Sequence, residues 1–377
     1  MDMLRRRLSA AGLIAGSLGP AISSFAAGQE VVFGQSAPMS GPFASLGEAY
    51  RSGALLAFDD ANKTGELGAR RVHLVTLDDA YNVDKAVANA KALIEEHRVT
   101  CFFNHMFTNT VRATLPLAVA AGVPFVGAYS GHPDLYRNDQ PLLFMTRASF
   151  AQELQRILDY VVSVGYKRTA LVYYDNAVGE ELRQDVQSGL AKRGKPLFAA
   201  AKMPVGGGAA HAAKGTADKE IDAVVLGVSG SDAVAYIRLQ QAAGLRPIYL
   251  TRSLVGSSQL HQELGADAAG IVISQLVPSP FKPTLPVARS YLKLLAQRDA
   301  KALPTFVELE GFINARLMVA ALRKIDGNVS RESLLKALSS IGRTEIGGFA
   351  LDFEGRNRNG SQFVELTMLR RDGTFAQ

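Results

Sequence analysis

Tryptophan is absent from this 377-residue chain, cysteine occurs once and histidine six times. One cysteine cannot form an internal disulfide, and Cys101, which opens a Cys-Phe-Phe run, reads as a buried strand residue rather than a nucleophile. His73, His97, His105, His132, His211 and His261 show neither an HExxH spacing nor a short cluster, so no metal site is expected. No GxGxxG follows the first β-rich run, which leaves out a dinucleotide fingerprint. The glycine-rich segment 205–214 reads as a loop without the Lys-Ser/Thr of a phosphate loop. Gly227-Val-Ser-Gly-Ser231 lacks the final glycine of a nucleophile elbow. Asp78 and Asp79 end a strand and read as a solvated turn rather than an acid–base pair. Neither catalysis nor a cofactor is expected.

Charge is also scarce. Ionised residues make up 20% of the chain and apolar ones 47%, a balance that excludes a disordered tail and leaves room for two domains. The formal charge of +6 comes from 41 Lys and Arg against 35 Asp and Glu, and part of the excess is concentrated at the N-terminus. Arg5, Arg6 and Arg7 precede an apolar stretch, Leu8 to Ile22, and then Ser24-Phe-Ala-Ala27. Charged start, apolar middle and small-residue end form a secretory signal peptide over residues 1–27, cleaved after Ala26 or Ala27. Fifteen mixed residues are too few for a membrane anchor, which takes about 20. No cysteine ends the stretch, so a lipid-modified terminus is not expected, and the paired arginines leave twin-arginine export open. Without residues 1–27, which hold three arginines and one aspartate, the formal charge falls to +4, and nucleic acid ceases to be a plausible partner. No later segment has 18 consecutive apolar residues, so a soluble, exported, periplasmic protein is expected.

From Val31 onward, short β-rich runs alternate with longer amphipathic stretches. Strands are expected at 31–35, 72–78, 100–103 and 124–127, with helices at 47–64, 82–96 and 110–121 between them. Strand, helix, strand at this spacing implies a parallel, doubly wound sheet. The alternation restarts with helices at 151–164, 179–192 and 231–243 and strands at 168–173, 223–227 and 248–251. A second parallel sheet follows. Segment 142–147 is a candidate crossing between the two, and Pro278, Pro280, Pro283 and Pro286 break the pattern near another. A long helix over 305–324 and a β-rich tail from 347 to 375 complete the pattern.

Several segments carry a family resemblance: Gly34-Gln-Ser-Ala-Pro-Met-Ser-Gly-Pro42, Leu77-Asp-Asp79 before Ala86-Val-Ala-Asn-Ala90, and Ala121-Gly-Val-Pro-Phe125. Tyr166-Lys-Arg168 before Leu171-Val-Tyr-Tyr-Asp175, Gly244-Leu245 and Glu308-Leu-Glu-Gly-Phe312 continue it. In this order and spacing the chain, from about residue 30 to 375, resembles the type I periplasmic binding proteins of the leucine/isoleucine/valine-binding kind, which serve ABC importers. The resemblance implies an α/β fold of two Rossmann-like doubly wound lobes joined by three hinge crossings, with ligand gripped between them. It divides the chain into residues 28–146 plus 277–340 as lobe 1 and 147–276 plus 341–377 as lobe 2.

Ligand contacts are expected at the carboxyl ends of parallel strands, where loops and helix N-termini offer free N–H groups suited to a carboxylate. In lobe 1 these are Ser40, the loop holding Asn104, Met106 and Thr108, and the loop Tyr129, Ser130 and Gly131. Thr108 matches the family's carboxylate-holding hydroxyl and is equally suited to capping a helix. In lobe 2 they are Asn176, Ser229, Arg252 and Ser253. Amino-acid-binding relatives place an acid where Ser253 stands, to neutralise the ligand's ammonium. Its loss, with Arg252 next to it, favours a small carboxylate over a zwitterionic amino acid. The function implied is a periplasmic solute receptor that delivers a small carboxylate or amino-acid ligand to an inner-membrane permease. A sensing receptor of the same fold, docking on a signalling partner, is the alternative.

Overall fold

The computed structural model describes residues 28–376 apart from 138 and 356, so the expected signal peptide lies outside the described residues. The first half of the chain runs β1 (Glu30–Ala37), α1 (Ala44–Thr64), β2 (Arg71–Asp78), α2 (Val83–Glu95), β3 (Cys101–Phe103), α3 (Thr108–Ala120), β4 (Phe125–Val126) and β5 (Leu143–Phe144). These strands form one parallel sheet in the order β2-β1-β3-β4-β5. Helices cover both faces, which is why β3 is apolar and buried at every position, Cys101 included.

The chain then crosses to a second sheet. Its elements are α4 (Phe150–Val164), β6 (Thr169–Tyr174), α5 (Ala177–Ala191), β7 (Leu197–Met203), α6 (Ala209–Gly215), β8 (Ala223–Gly227), α7 (Gly230–Ala242), β9 (Ile248–Thr251), α8 (Ser257–Leu264) and β10 (Val272–Gln275). Next come α9 (Pro286–Arg298), α10 (Phe306–Arg323), α11 (Arg331–Ser339), the hairpin β11–β12 (Arg343–Ile346 and Phe349–Asp352), β13 (Glu365–Leu369) and β14 (Phe375–Ala376). The second sheet is ordered β14-β13-β10-β9-β8-β6-β7, parallel from β7 to β10 and antiparallel at β13 and β14. Two mixed α/β layers with three passages between them result.

α10 returns to the first half and lies along α1. Glycines permit the close approach: a Cβ at Gly53 would collide with the Glu308 carbonyl, and one at Gly311 with the Tyr50 carbonyl. Local signals place the helices well. Ser149 and Gln152 form a capping box at the start of α4, and the Asn82 side chain accepts the Lys85 N–H at the start of α2.

The sequence reading does not include α8, β10 and α11, takes the segment holding β5 for a crossing, and misses three further elements for local reasons. Segment 205–214, read as a loop, holds α6, because its alanines favour helix once the glycines have turned the chain. Pro286, read as a breaker, is the first residue of α9, where its missing N–H costs nothing. The edge strand β7 has only partial burial and a weak apolar signal.

Candidate functional site

Strand order reverses on either side of β1 in the first sheet and of β6 in the second, and such switch points open crevices beyond the strand ends. A cavity of about 660 Å³, its solvent-open part included, lies where the two sets of strand ends face each other. Phe43, Tyr81, Phe107, Thr108 and Asn109 form one wall. Tyr174, Asn176, Leu182, Leu226, Ser229, Thr251, Arg252, Leu254 and Val255 contribute to the other, with Phe150 between them.

The aromatic wall is built by loops under constraint. Asp78 accepts the N–H groups of Met39 (2.8 Å), Ser40 (3.3 Å) and Ala80 (2.8 Å) and the Ser40 hydroxyl (2.6 Å), which hold its carboxyl below the usual range. Asp79 is buried, which pushes its pKa up to about 6, while it accepts the Tyr81 N–H and the Ser36 hydroxyl. The aspartate pair therefore shapes the loops that carry Phe43 and Tyr81. Phe107 precedes α3 at φ 67°, a left-handed conformation costly for an aromatic residue. Its N–H donates to the Tyr129 carbonyl (3.1 Å), its carbonyl accepts the Val111 N–H (3.0 Å), and its ring meets Phe43 at 4.8 Å and Tyr81 at 4.9 Å.

Polar groups are few. The Thr108 and Ser130 hydroxyls are hydrogen-bonded at 2.8 Å, and no side chain caps the N–H groups that open α3. Asn176 caps α5 by accepting the Gly179 N–H (2.9 Å). Ser229 precedes α7 with no side-chain cap, its backbone paired with the Tyr174 hydroxyl. Arg252 is the one ionised side chain among the lining residues. Its guanidinium lies 4.2 Å over the Phe150 ring and makes no hydrogen bond or ion pair among the described residues. Burial lowers its pKa, with Glu153 and Asp185 opposing the shift.

Thr108, Asn176, Ser229 and Arg252, named from sequence, line the cavity, and Ser130 supports Thr108 from behind. The structure does not bring the remaining six to it. Ser40 is exposed and tied to Asp78. Asn104 is buried, accepting from Asn314 (2.9 Å) and Gln35 (2.9 Å). Met106 is buried and bridges to Tyr129. Gly131 packs under Phe150, whose N–H it accepts at 2.7 Å.

Tyr129 and Ser253 belong to a buried network beside the cavity. The Tyr129 hydroxyl donates to the Ser253 carbonyl (3.2 Å), Arg147 Nη2 donates to the Ser253 hydroxyl (2.6 Å), and the Ser253 N–H donates to Glu153 (2.8 Å). Arg147 sits 4.1 Å from the Tyr129 ring centre and 3.5 Å from the Glu310 carboxylate. Every backbone and hydroxyl group of Ser253 is thus engaged by protein. A second contact between the halves joins His132 to Glu181. Sequence reasoning missed Arg147, Glu153 and Glu310, and the aromatic lining from Phe43, Tyr81, Phe107, Phe150 and Tyr174. The strand-end positions of Tyr81 and Tyr174 were the one available signal.

A family model described as periplasmic binding protein matches residues 30–374. The Leu/Ile/Val-binding protein of Escherichia coli K12 is 23% identical over 265 residues, covering 70% of this chain and 72% of the relative. An amino acid binding protein of Pseudomonas aeruginosa is 27% identical over 168 residues, 44% of either chain. Among solved structures, a possible leucine/isoleucine/valine-binding protein from Rhodopirellula baltica aligns with TM-score 0.86 and 27% identity over 93% of this chain and 97% of its own. A substrate-binding periplasmic protein from Ralstonia solanacearum aligns with TM-score 0.85 and 26% identity, over 92% of this chain and 99% of its own.

Proposed function

The chain belongs to the periplasmic binding protein family of the Leu/Ile/Val-binding type, and from that premise we propose that it captures a small carboxylate-bearing ligand, an amino acid or an aromatic or aliphatic acid, for an ABC importer. It is a binding protein, not an enzyme. The observation that carries the ligand class is the cavity itself, an apolar pocket with an unpaired Arg252, the Thr108 hydroxyl and the uncapped start of α3 on its walls. Thr108, Asn176, Ser229 and Arg252 are the proposed ligand contacts. Ligand binds one half first, and closure adds the contacts of the other, so the closed form is populated because ligand binds it more tightly. The permease reads that closed shape through charges on the outer surfaces of the lobes.

Export to the periplasm by the 1–27 segment is part of this reading, supported by the family and by the absence of any described helix long and apolar enough to cross a membrane. The lobe division is proposed with one change from the sequence reading. The hairpin β11–β12 goes with lobe 1, because the Gly347 carbonyl accepts the Val287 N–H of α9 (3.0 Å) and Phe353 packs against Phe144 at 5.7 Å. A thermal-shift screen of amino acids and carboxylic acids tests the ligand class. At 100 times its Kd a true ligand stabilises by about 2.7 kcal/mol. No shift with any acid or amino acid would reject the carboxylate reading.

A further inference from the structure

Three features of the cleft narrow the ligand further, resting on the receptor reading above. No aspartate or glutamate is among the residues lining the cavity, and Arg252 is the sole charged one. The carboxylates of Asp232 and Glu153 lie outside the lining and are held by protein donors, although Glu153 Oε1 has no hydrogen-bond partner among the described residues. Asp232 accepts the Tyr174 hydroxyl (3.1 Å) and the Gly206 N–H (2.8 Å), and Glu153 Oε2 accepts the Ser253 N–H (2.8 Å) and the Ser274 hydroxyl (2.6 Å). An ammonium entering this pocket would lose its hydration, meet a like charge and find no anion on the walls.

Arg252 is set up for the opposite partner. Its face is occupied by the Phe150 ring, which leaves the N–H edge of the guanidinium for an acceptor. Phe150 is bonded through its N–H to Gly131, and the adjoining Ser130 holds Thr108, so segment 130–131 supports both the ring under Arg252 and the Thr108 hydroxyl, and both groups line the cavity. The facing wall is made of rings: Phe43 and Tyr81 meet edge to face at 4.7 Å, and Phe107 closes the trio. Offset and edge-to-face contacts favour an aryl group there.

We propose that the cleft selects an aromatic monocarboxylate without an α-ammonium group, its carboxylate paired with Arg252 and its ring against Phe43, Tyr81 and Phe107. Matched ligands isolate the claim. 3-Phenylpropanoate and L-phenylalanine share a skeleton and differ by the ammonium, as do 4-methylpentanoate and L-leucine. By titration calorimetry, 3-phenylpropanoate binds at least tenfold tighter than phenylalanine and tighter than 4-methylpentanoate. Arg252→Gln weakens 3-phenylpropanoate at least tenfold and leaves phenylalanine no weaker, while Arg252→Lys falls between, because it keeps charge but not the fork. A melting curve on each variant confirms that it is folded. Phenylalanine or leucine binding as tightly as its desamino partner overturns the proposal and leaves the receptor reading standing. So does an unchanged affinity for 3-phenylpropanoate in Arg252→Gln, or a preference for the aliphatic acid. Failure of all four compounds to bind overturns the proposal, while the carboxylate reading is decided by the wider thermal-shift screen.

Discussion

Two arginines lie close together where the halves meet, and the protein treats them in opposite ways. Arg147 is fully buried on the Tyr129 ring, donates to the Ser253 hydroxyl and faces the Glu310 carboxylate, with Glu153 nearby. Arg252, next to Ser253 in the chain, stacks on Phe150 in the same manner but forms no ion pair among the described residues. The first cation is compensated by the fold and ties Ser253 of the second half to Tyr129 and α10 of the first. The second is left for something the fold does not supply. A buried charge removed from its partner is costly, whereas an unpaired one at a cavity wall marks a place where a ligand completes the structure.

That contrast can be broken from its larger side first. Arg147→Met leaves Glu310 buried without its cation and should destabilise the protein by about 3–5 kcal/mol, read as a fall in denaturation midpoint. A loss below about 1 kcal/mol would place Arg147 among ordinary surface pairs. Glu310 gives the second test. Burial raises its pKa from 4.5 to about 7, against the pull of Arg147, so the folded state holds this proton more tightly than the unfolded one. Its contribution to stability is present below pH 4.5 and is lost as pH rises to about 7. Glu310→Gln removes that dependence. Compared with wild type, the variant should gain stability across this window by an amount on the order of 3 kcal/mol and stay level above it. A difference that does not change with pH would show that Glu310 does not titrate there. The smallest effect belongs to Arg252→Gln, which should alter ligand-free stability by no more than about 0.5 kcal/mol, since no protein partner is orphaned. A loss as large as that of Arg147→Met would erase the distinction between the two.

The alternation of strands and helices was legible because buried parallel strands are short apolar runs and the helices announce themselves with residues such as Ser149 and Asn82. What failed was punctuation read without context, as at Pro286. The site divides similarly. Thr108, Asn176, Ser229 and Arg252 follow strand ends and face the cavity. Tyr129 and Ser253 also follow strand ends, yet Arg147, far away in the chain from Ser253, draws that serine into the hinge. Strand-end position identifies a loop but not which of its groups a distant partner will take. Phe43, Phe107 and Phe150 were illegible for a different reason: an isolated phenylalanine in a loop or at a helix start looks like core until a φ of 67° at Phe107 and the stack under Arg252 show which way the rings are held.

A crystal structure of the protein with 3-phenylpropanoate tests the central claim most directly. The account predicts a closed cleft with the carboxylate about 3 Å from the Arg252 guanidinium and the ring against Phe43, Tyr81 and Phe107. A carboxylate pointing away from Arg252, or a ligand bound outside the cleft, would contradict it.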